Sequence, residues 1–178
     1  MNFTKRRVVA LNVAGVYHDS ITNGEGWRSV LFVSGCPHRC EGCHNPNTWK
    51  REYGTPYNEE EVFNKLTDNE LLDGVTISGG EPFLYTKTLL SLVKKIKEKK
   101  LDIWVYTGYV WEELLERAEN DLYTRQFLET IDVIVDGRFE IEKKKPSLKF
   151  RGSTNQRIID VKVSIKEGVL KELDLAVG

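Results

Sequence analysis

Cys36, Cys40 and Cys43 are the only cysteines in this 178-residue chain, and all three fall within eight residues. A disulfide framework normally uses an even, dispersed set of cysteines. Three thiols clustered in one loop point instead to a metal site. The spacing C-x3-C-x2-C lets a single loop wrap three thiolates around one centre. Two centres suit it. A [4Fe–4S] cubane usually takes four cysteine ligands, so three would leave one iron open to chemistry. A zinc ion held by the three thiolates and either His38 or His44 would use the same loop.

A second group of residues with chemical potential is Ser78-Gly79-Gly80-Glu81-Pro82. Glycines at 79 and 80 allow the backbone to come close to a ligand. Carbonyls exposed there could accept hydrogen bonds from an ammonium group, and Glu81 would add negative charge beside it. Taken alone, Gly-Gly-Glu-Pro is an ordinary turn.

Both groups sit at the ends of apolar runs. Ser29 to Ser34 reads as a buried strand ending at Gly35-Cys36, and Gly74 to Ser78 as the next strand, ending at Gly79-Gly80. Arg7 to Val13 reads as an earlier strand, followed by a turn-rich loop at Thr22-Asn23-Gly24-Glu25-Gly26. Asn58 to Leu72 has helical periodicity, with Asn58 as cap and Glu61 placed as in a capping box. Thr86 to Lys100, Trp111 to Asn120 and Thr124 to Ile131 are also read as helices. Asp102 to Tyr106 and Asp132 to Val135 are read as strands. This alternation predicts parallel β/α units. About four such units are too few for a closed eight-fold barrel, so the expected fold is α/β, a partial (open) β/α barrel in one domain spanning residues 1–178. Ile159, Val161, Val163 and Ile165 alternate with polar residues ahead of Gly168, which predicts a C-terminal β-hairpin.

The bulk composition narrows the function. Forty per cent of residues are apolar and the formal net charge is −1, as in a soluble globular protein without a general nucleic-acid-binding surface. The basic run Lys94 to Lys100 closes a helix and reads as a solvated face. No apolar run is long enough to span a membrane. Met1 to Arg7 is polar and basic with no secretory core after it, so a cytoplasmic location is expected.

The cysteine loop and the Gly-Gly-Glu-Pro motif together resemble the radical S-adenosylmethionine (SAM) superfamily, and this resemblance favours the cluster over zinc. The resemblance implies that SAM chelates the open iron and that Gly79, Gly80 and Glu81 hold its methionyl end. It also implies reductive cleavage of SAM to a 5′-deoxyadenosyl radical. Many superfamily members carry an aromatic residue where this chain has Gly42. Adenine contact would then pass to the backbone of Gly42 and Cys43 or to His44. Thr107 and Asp136 end neighbouring strands on the expected active face. They could bind the SAM carboxylate, ribose or a cation, or Asp136-Gly137 could simply form a turn.

Within the superfamily, most of the chain resembles the family that activates anaerobic ribonucleoside-triphosphate reductase. The matching segments are Gly24-Glu25-Gly26-Trp27-Arg28, Gly35-Cys36-Pro37, Cys43-His44-Asn45-Pro46, Ile103 to Tyr109, Val135 to Phe139 and, most specifically, Phe150 to Arg157. The family implies a radical SAM oxidoreductase that abstracts a Cα hydrogen from a glycine of the reductase, with an electron donor such as flavodoxin. The pair Gly108-Tyr109 is read as a strand-end turn, because the radical glycine belongs to the partner. Glu140 to Lys149 and Arg151 to Arg157 are read as part of a docking rim or as plain surface loop. Alternatives are a pyruvate formate-lyase activase, a 7-carboxy-7-deazaguanine synthase and a zinc-binding interaction module.

Overall fold

A computed structural model of the chain describes residues 10–173 and 175. Within them are seven strands in one mixed sheet and five α-helices. The strands are β1 (Asn12–Ser20), β2 (Arg28–Val33), β3 (Thr55–Pro56), β4 (Gly74–Gly79), β5 (Asp102–Tyr106), β6 (Val133–Asp136) and β7 (Arg157–Asp160). Their spatial order is β3-β1-β2-β4-β5-β6-β7. The four central strands β2, β4, β5 and β6 are parallel, and the outer pairings are antiparallel.

The helices are α1 (Glu59–Leu66), α2 (Thr86–Glu98), α3 (Trp111–Asn120), α4 (Leu122–Thr130) and α5 (Val161–Glu167). Strand alternation decides which residues meet them. Leu31 and Val33, Val75 and Ile77, Ile103 and Val105, and Ile134 share one buried core with Leu66, Leu89, Leu92, Leu114 and Phe127 of the helices. The intervening positions form the opposite face. There Trp104, Val133, Val135 and Ile158 make a smaller cluster, flanked by Tyr106, Phe150, Leu173 and Leu175. One sheet face is thus covered by helices, while the other is left to a few aromatics and a loop.

Several expected boundaries move for identifiable reasons. Helix α1 begins as expected, with the Asn58 side chain accepting from Glu61 N, but Glu61 pairs with Lys65. The helix stops at Leu66, because Thr67 takes a capping conformation with its N–H on Phe63 and Asn64 carbonyls. The expected first strand lies partly outside the described residues, and β1 runs from Asn12 to Ser20.

The C-terminal hairpin is corrected. Asp160 accepts from Val163 N at 2.9 Å and caps a short helix, which ends at Gly168 in the left-handed conformation. Of the alternating β-branched residues Ile159 stays in β7, while Val161, Val163 and Ile165 are helical, with Val161 and Ser164, three apart, turned inward. The chain still returns along β7. Asp160 N donates to Lys171 O, and Leu173 N to Ile158 O. The pairing exists, but a helix rather than a tight turn makes the connection.

Candidate active site

The three cysteines occupy the loop that leaves β2, beside the C-terminal end of β4. All three are partly buried free thiols. Two backbone hydrogen bonds tie the ends of these parallel strands together: Gly80 N donates to Val33 O at 2.7 Å and Glu81 N to Gly35 O at 2.8 Å. Gly79 has φ of 94°, which favours glycine. A Cβ on Gly80 would run into the Gly35 carbonyl. The paired glycines therefore let the two motifs pack backbone to backbone, in addition to any approach they allow to a ligand.

Glu81 is fully buried and joins three segments. Its Oε1 accepts from Phe83 N at 3.0 Å and from Thr107 Oγ1 at 2.9 Å. Its Oε2 accepts from Gly108 N at 2.9 Å and lies 2.8 Å from His38 Nε2. His38 stands between Cys36 and Cys40, so this one carboxylate fixes the cysteine loop to the ends of β4 and β5. The His38 ring also sits edge-on to Tyr109, with centroids 4.6 Å apart.

Burial pushes the Cys36 thiol up to about 11. A hydrogen bond from the His38 backbone opposes this shift, and the Glu81 charge adds to it. Cys40 is also raised by burial, against a hydrogen bond from the Phe139 backbone. Thiols in this state ionise reluctantly without a cation. A bound metal centre supplies the compensating charge and releases their protons. Among the described residues no three His, Cys, Asp or Glu side chains are gathered as one metal ion would require. A cubane makes a different demand, because each thiolate binds its own iron.

The loop separates two cavities. One, of about 470 Å³, is bordered by Cys40, Cys43 and His44 on one side and by Ser78 and Gly79 on another. Phe32, Tyr106, Phe139 and Phe150 supply apolar walls, and Arg151, Gly152 and Gln156 close it. That volume is in the range of small-molecule sites. The second cavity lies on the Cys36 side, against Arg39, Trp49, Lys50 and Arg51.

The predicted site residues divide accordingly. Cys40, Cys43, His44 and Gly79 face the first cavity. Gly42, at φ of 70°, packs under Ile141 and Phe139. Glu81, Thr107 and Asp136 are buried, and their side-chain oxygens are hydrogen-bonded within the protein. Asp136 accepts from Trp111 N at 2.8 Å and from the Arg157 guanidinium at 2.5 Å, and that guanidinium also forks onto Glu112.

The segment Phe150 to Arg157 is a cavity wall rather than a plain surface loop. Tyr106 Oη donates to Phe150 O at 2.7 Å, and burial raises the Tyr106 pKa so that the phenol stays a neutral donor. Gln156 Oε1 accepts from Gly152 N and Ser153 N, while its Nε2 donates to Gly137 O at 2.9 Å. Phe32 and Tyr106 escaped sequence reasoning. Their place in strand alternation, opposite the helix-facing positions, was the available signal.

Residues 22–159 match the family model described as a 4Fe-4S single cluster domain. Curated relatives agree over nearly their whole length. The anaerobic ribonucleoside-triphosphate reductase-activating protein of Pasteurella multocida (strain Pm70) is 41% identical, across 83% of this chain and 96% of its own. That of Escherichia coli (strain K12) is 39% identical, across 82% and 96%. That of enterobacteria phage T4 is 37% identical, across 83% and 93%. The chain belongs to the family of anaerobic ribonucleoside-triphosphate reductase-activating proteins, and carries its iron–sulfur domain. No helix among the described residues is long and apolar enough to cross a membrane.

Proposed function

We propose that the protein activates an anaerobic ribonucleoside-triphosphate reductase by forming a glycyl radical on it, with a [4Fe–4S] cluster on Cys36, Cys40 and Cys43 and SAM in the adjoining cavity. The observation that carries this reading is the single cavity bordered by Cys40, Cys43, the Ser78-Gly79 strand end and the Phe150–Gln156 wall. The seven-stranded sheet, not closed into a barrel and with helices on one face, is read as the partial β/α barrel of a single radical SAM domain in the cytoplasm.

Cys36, Cys40 and Cys43 would hold the cluster, which would supply the one-electron reduction that SAM cleavage and hydrogen abstraction from the partner glycine require. The protein's own residues prepare for this chemistry. Glu81, through His38 and Gly108, holds the cysteine loop in place. Phe32, Tyr106, Phe139 and Phe150 give the reacting region apolar walls. Arg151, anchored by its own hydrogen bond to Gln156 O, is the guanidinium on the cavity wall and would pair with the cofactor carboxylate. Gly79, Cys43 and His44 offer backbone and ring contacts to the methionyl and adenine ends. Gly80, Thr107 and Asp136 serve by holding the walls.

The decisive experiment is anaerobic reconstitution, followed by assay of 5′-deoxyadenosine and of the partner's radical by electron paramagnetic resonance. Replacing Cys36, Cys40 or Cys43 by Ala abolishes SAM cleavage. Full cleavage in any of the three variants would overturn the cluster assignment, and a colourless zinc protein would overturn the function. The double variant Asn155→Ala, Gln156→Ala lowers SAM cleavage and radical yield together, because it loosens the cavity wall. A fall in radical yield alone would make the segment a docking rim instead.

A further inference from the structure

We infer that the cavity on the Cys36 side of the cysteine loop is the docking site of an acidic, low-potential electron-donor protein. This rests on the proposed function, since only a cluster needs such a donor. The cavity has a volume of about 530 Å³. Arg39, Lys50 and Arg51 line it with a single carboxylate, Glu52. The three cations are exposed, and none forms an ion pair among the described residues. In a chain of net charge −1, this is a local reversal of sign placed beside a cysteine. Surface cations left without internal partners are available to steer an oppositely charged surface.

The position suits electron entry. The segment carrying the cations is bonded directly to the cysteine loop: Cys36 N donates to Trp49 O at 3.2 Å, and Gly35 N to Thr48 O at 2.6 Å. Trp49 lines the same cavity, and its indole N–H has no hydrogen-bond partner among the described residues. Cys40 and Cys43 border the other cavity, which must admit the cofactor and the partner's glycine. A donor docked on the Cys36 side leaves that mouth free, so reduction and substrate binding need not compete. The transfer is balanced: one electron leaves the donor's reduced flavin or iron–sulfur centre and enters the cluster, with no bond made or broken.

The test uses flavodoxin, an acidic flavoprotein, and dithionite, a small reductant that needs no docking surface. The variant combines Lys50→Glu with Arg39→Asn, a residue tolerant of the positive φ of 47° at that position. Calorimetric affinity for oxidised flavodoxin is expected to fall about tenfold or more, and raised salt should weaken wild-type binding similarly. The ratio of flavodoxin-driven to dithionite-driven SAM cleavage should fall by a like factor. Lys50→Glu alone, at an exposed side chain, should give a smaller loss in the same direction. Unchanged affinity with an unchanged ratio would overturn the docking site, as would an equal fall in both rates with affinity retained. If the iron-loaded wild type cleaves no SAM with dithionite, the proposed function fails, whereas flavodoxin affinity still reports on the docking site.

Discussion

Two fully buried carboxylates organise opposite halves of the sheet, and they are satisfied in different ways. Glu81, at the end of β4, is held by neutral backbone and hydroxyl donors and by His38. Asp136, at the end of β6, is held by the Trp111 amide and a guanidinium that continues outward to Glu112. The first is a hub with no route to solvent. The second is the inner end of an ion-pair chain, and its outer end is exposed. A buried hub fixes geometry, because every donor it releases is stranded in the interior. A chain that reaches water can re-solvate from its open end, so its loss is milder. The hub stands beside the cysteines and the chain beside the family-specific segment.

Breaking the hub should give the largest effect. Glu81→Ala strands the Phe83 and Gly108 amides, the Thr107 hydroxyl and His38, at a cost of roughly 3–5 kcal/mol. For a chain of this size that lowers Tm by roughly 6–20 °C, since each kcal/mol is worth about 2–4 °C. Iron retained after reconstitution should fall as well, because His38 lies inside the cysteine loop. Glu81→Gln keeps an acceptor for Phe83 and Thr107 and should fall between wild type and Ala. An Ala variant with wild-type Tm and full iron content would reduce Glu81 to an ordinary turn residue.

Arg157→Ala tests the other half. It leaves Asp136 with its backbone donors but removes the guanidinium, at a cost of about 2 kcal/mol, reduced from the fully buried case because Arg157 is partly exposed. Iron content should stay near normal, since no bond of this chain reaches the cysteine loop. Loss of iron equal to that of Glu81→Ala would mean that the two halves are not separable.

The contrast also shows what could be read from the residues alone. The cysteine spacing was legible because the three ligands are near neighbours in the chain and fold as one loop. The central strands and the helices between them were legible from periodicity, with α3 and β5 at their predicted bounds. Glu81 was expected beside a ligand as a charge next to paired glycines, and Thr107 and Asp136 as strand ends on the expected active face, with a plain turn at Asp136-Gly137 as the alternative. Apart from the Phe83 and Tyr109 amides two residues on, their partners come from segments 21 to 43 residues away, and nothing local announces those bonds. The tail misled for a related reason. A short alternating run is compatible with a strand, but the Asp160 cap and the Gly168 stop decide for a helix. The aromatic lining of the cavity became visible only once the sheet was known to have helices on one face.

The smallest expected effect lies at the exposed end of the ion-pair chain, and it sharpens the comparison through pH. The hydrogen bond from Arg157 holds the Glu112 carboxyl below its ordinary value of 4.5, against a small opposing contribution from burial. A carboxyl lowered on folding contributes stability that is fully present above its unfolded pKa and is lost as pH falls through its folded pKa. Wild type should therefore melt slightly above Glu112→Gln from neutral pH down to about pH 5, with the two curves converging in stronger acid. Because the Glu112 side chain is largely exposed, added salt should narrow the difference even at neutral pH. The Glu81→Ala deficit should not respond to salt, because the hub it removes is buried and has no exposed charged end. A Glu112→Gln deficit that survives both acid and salt would show that the side chain acts by packing, and the distinction between a closed hub and an open chain would then fail at its outer end.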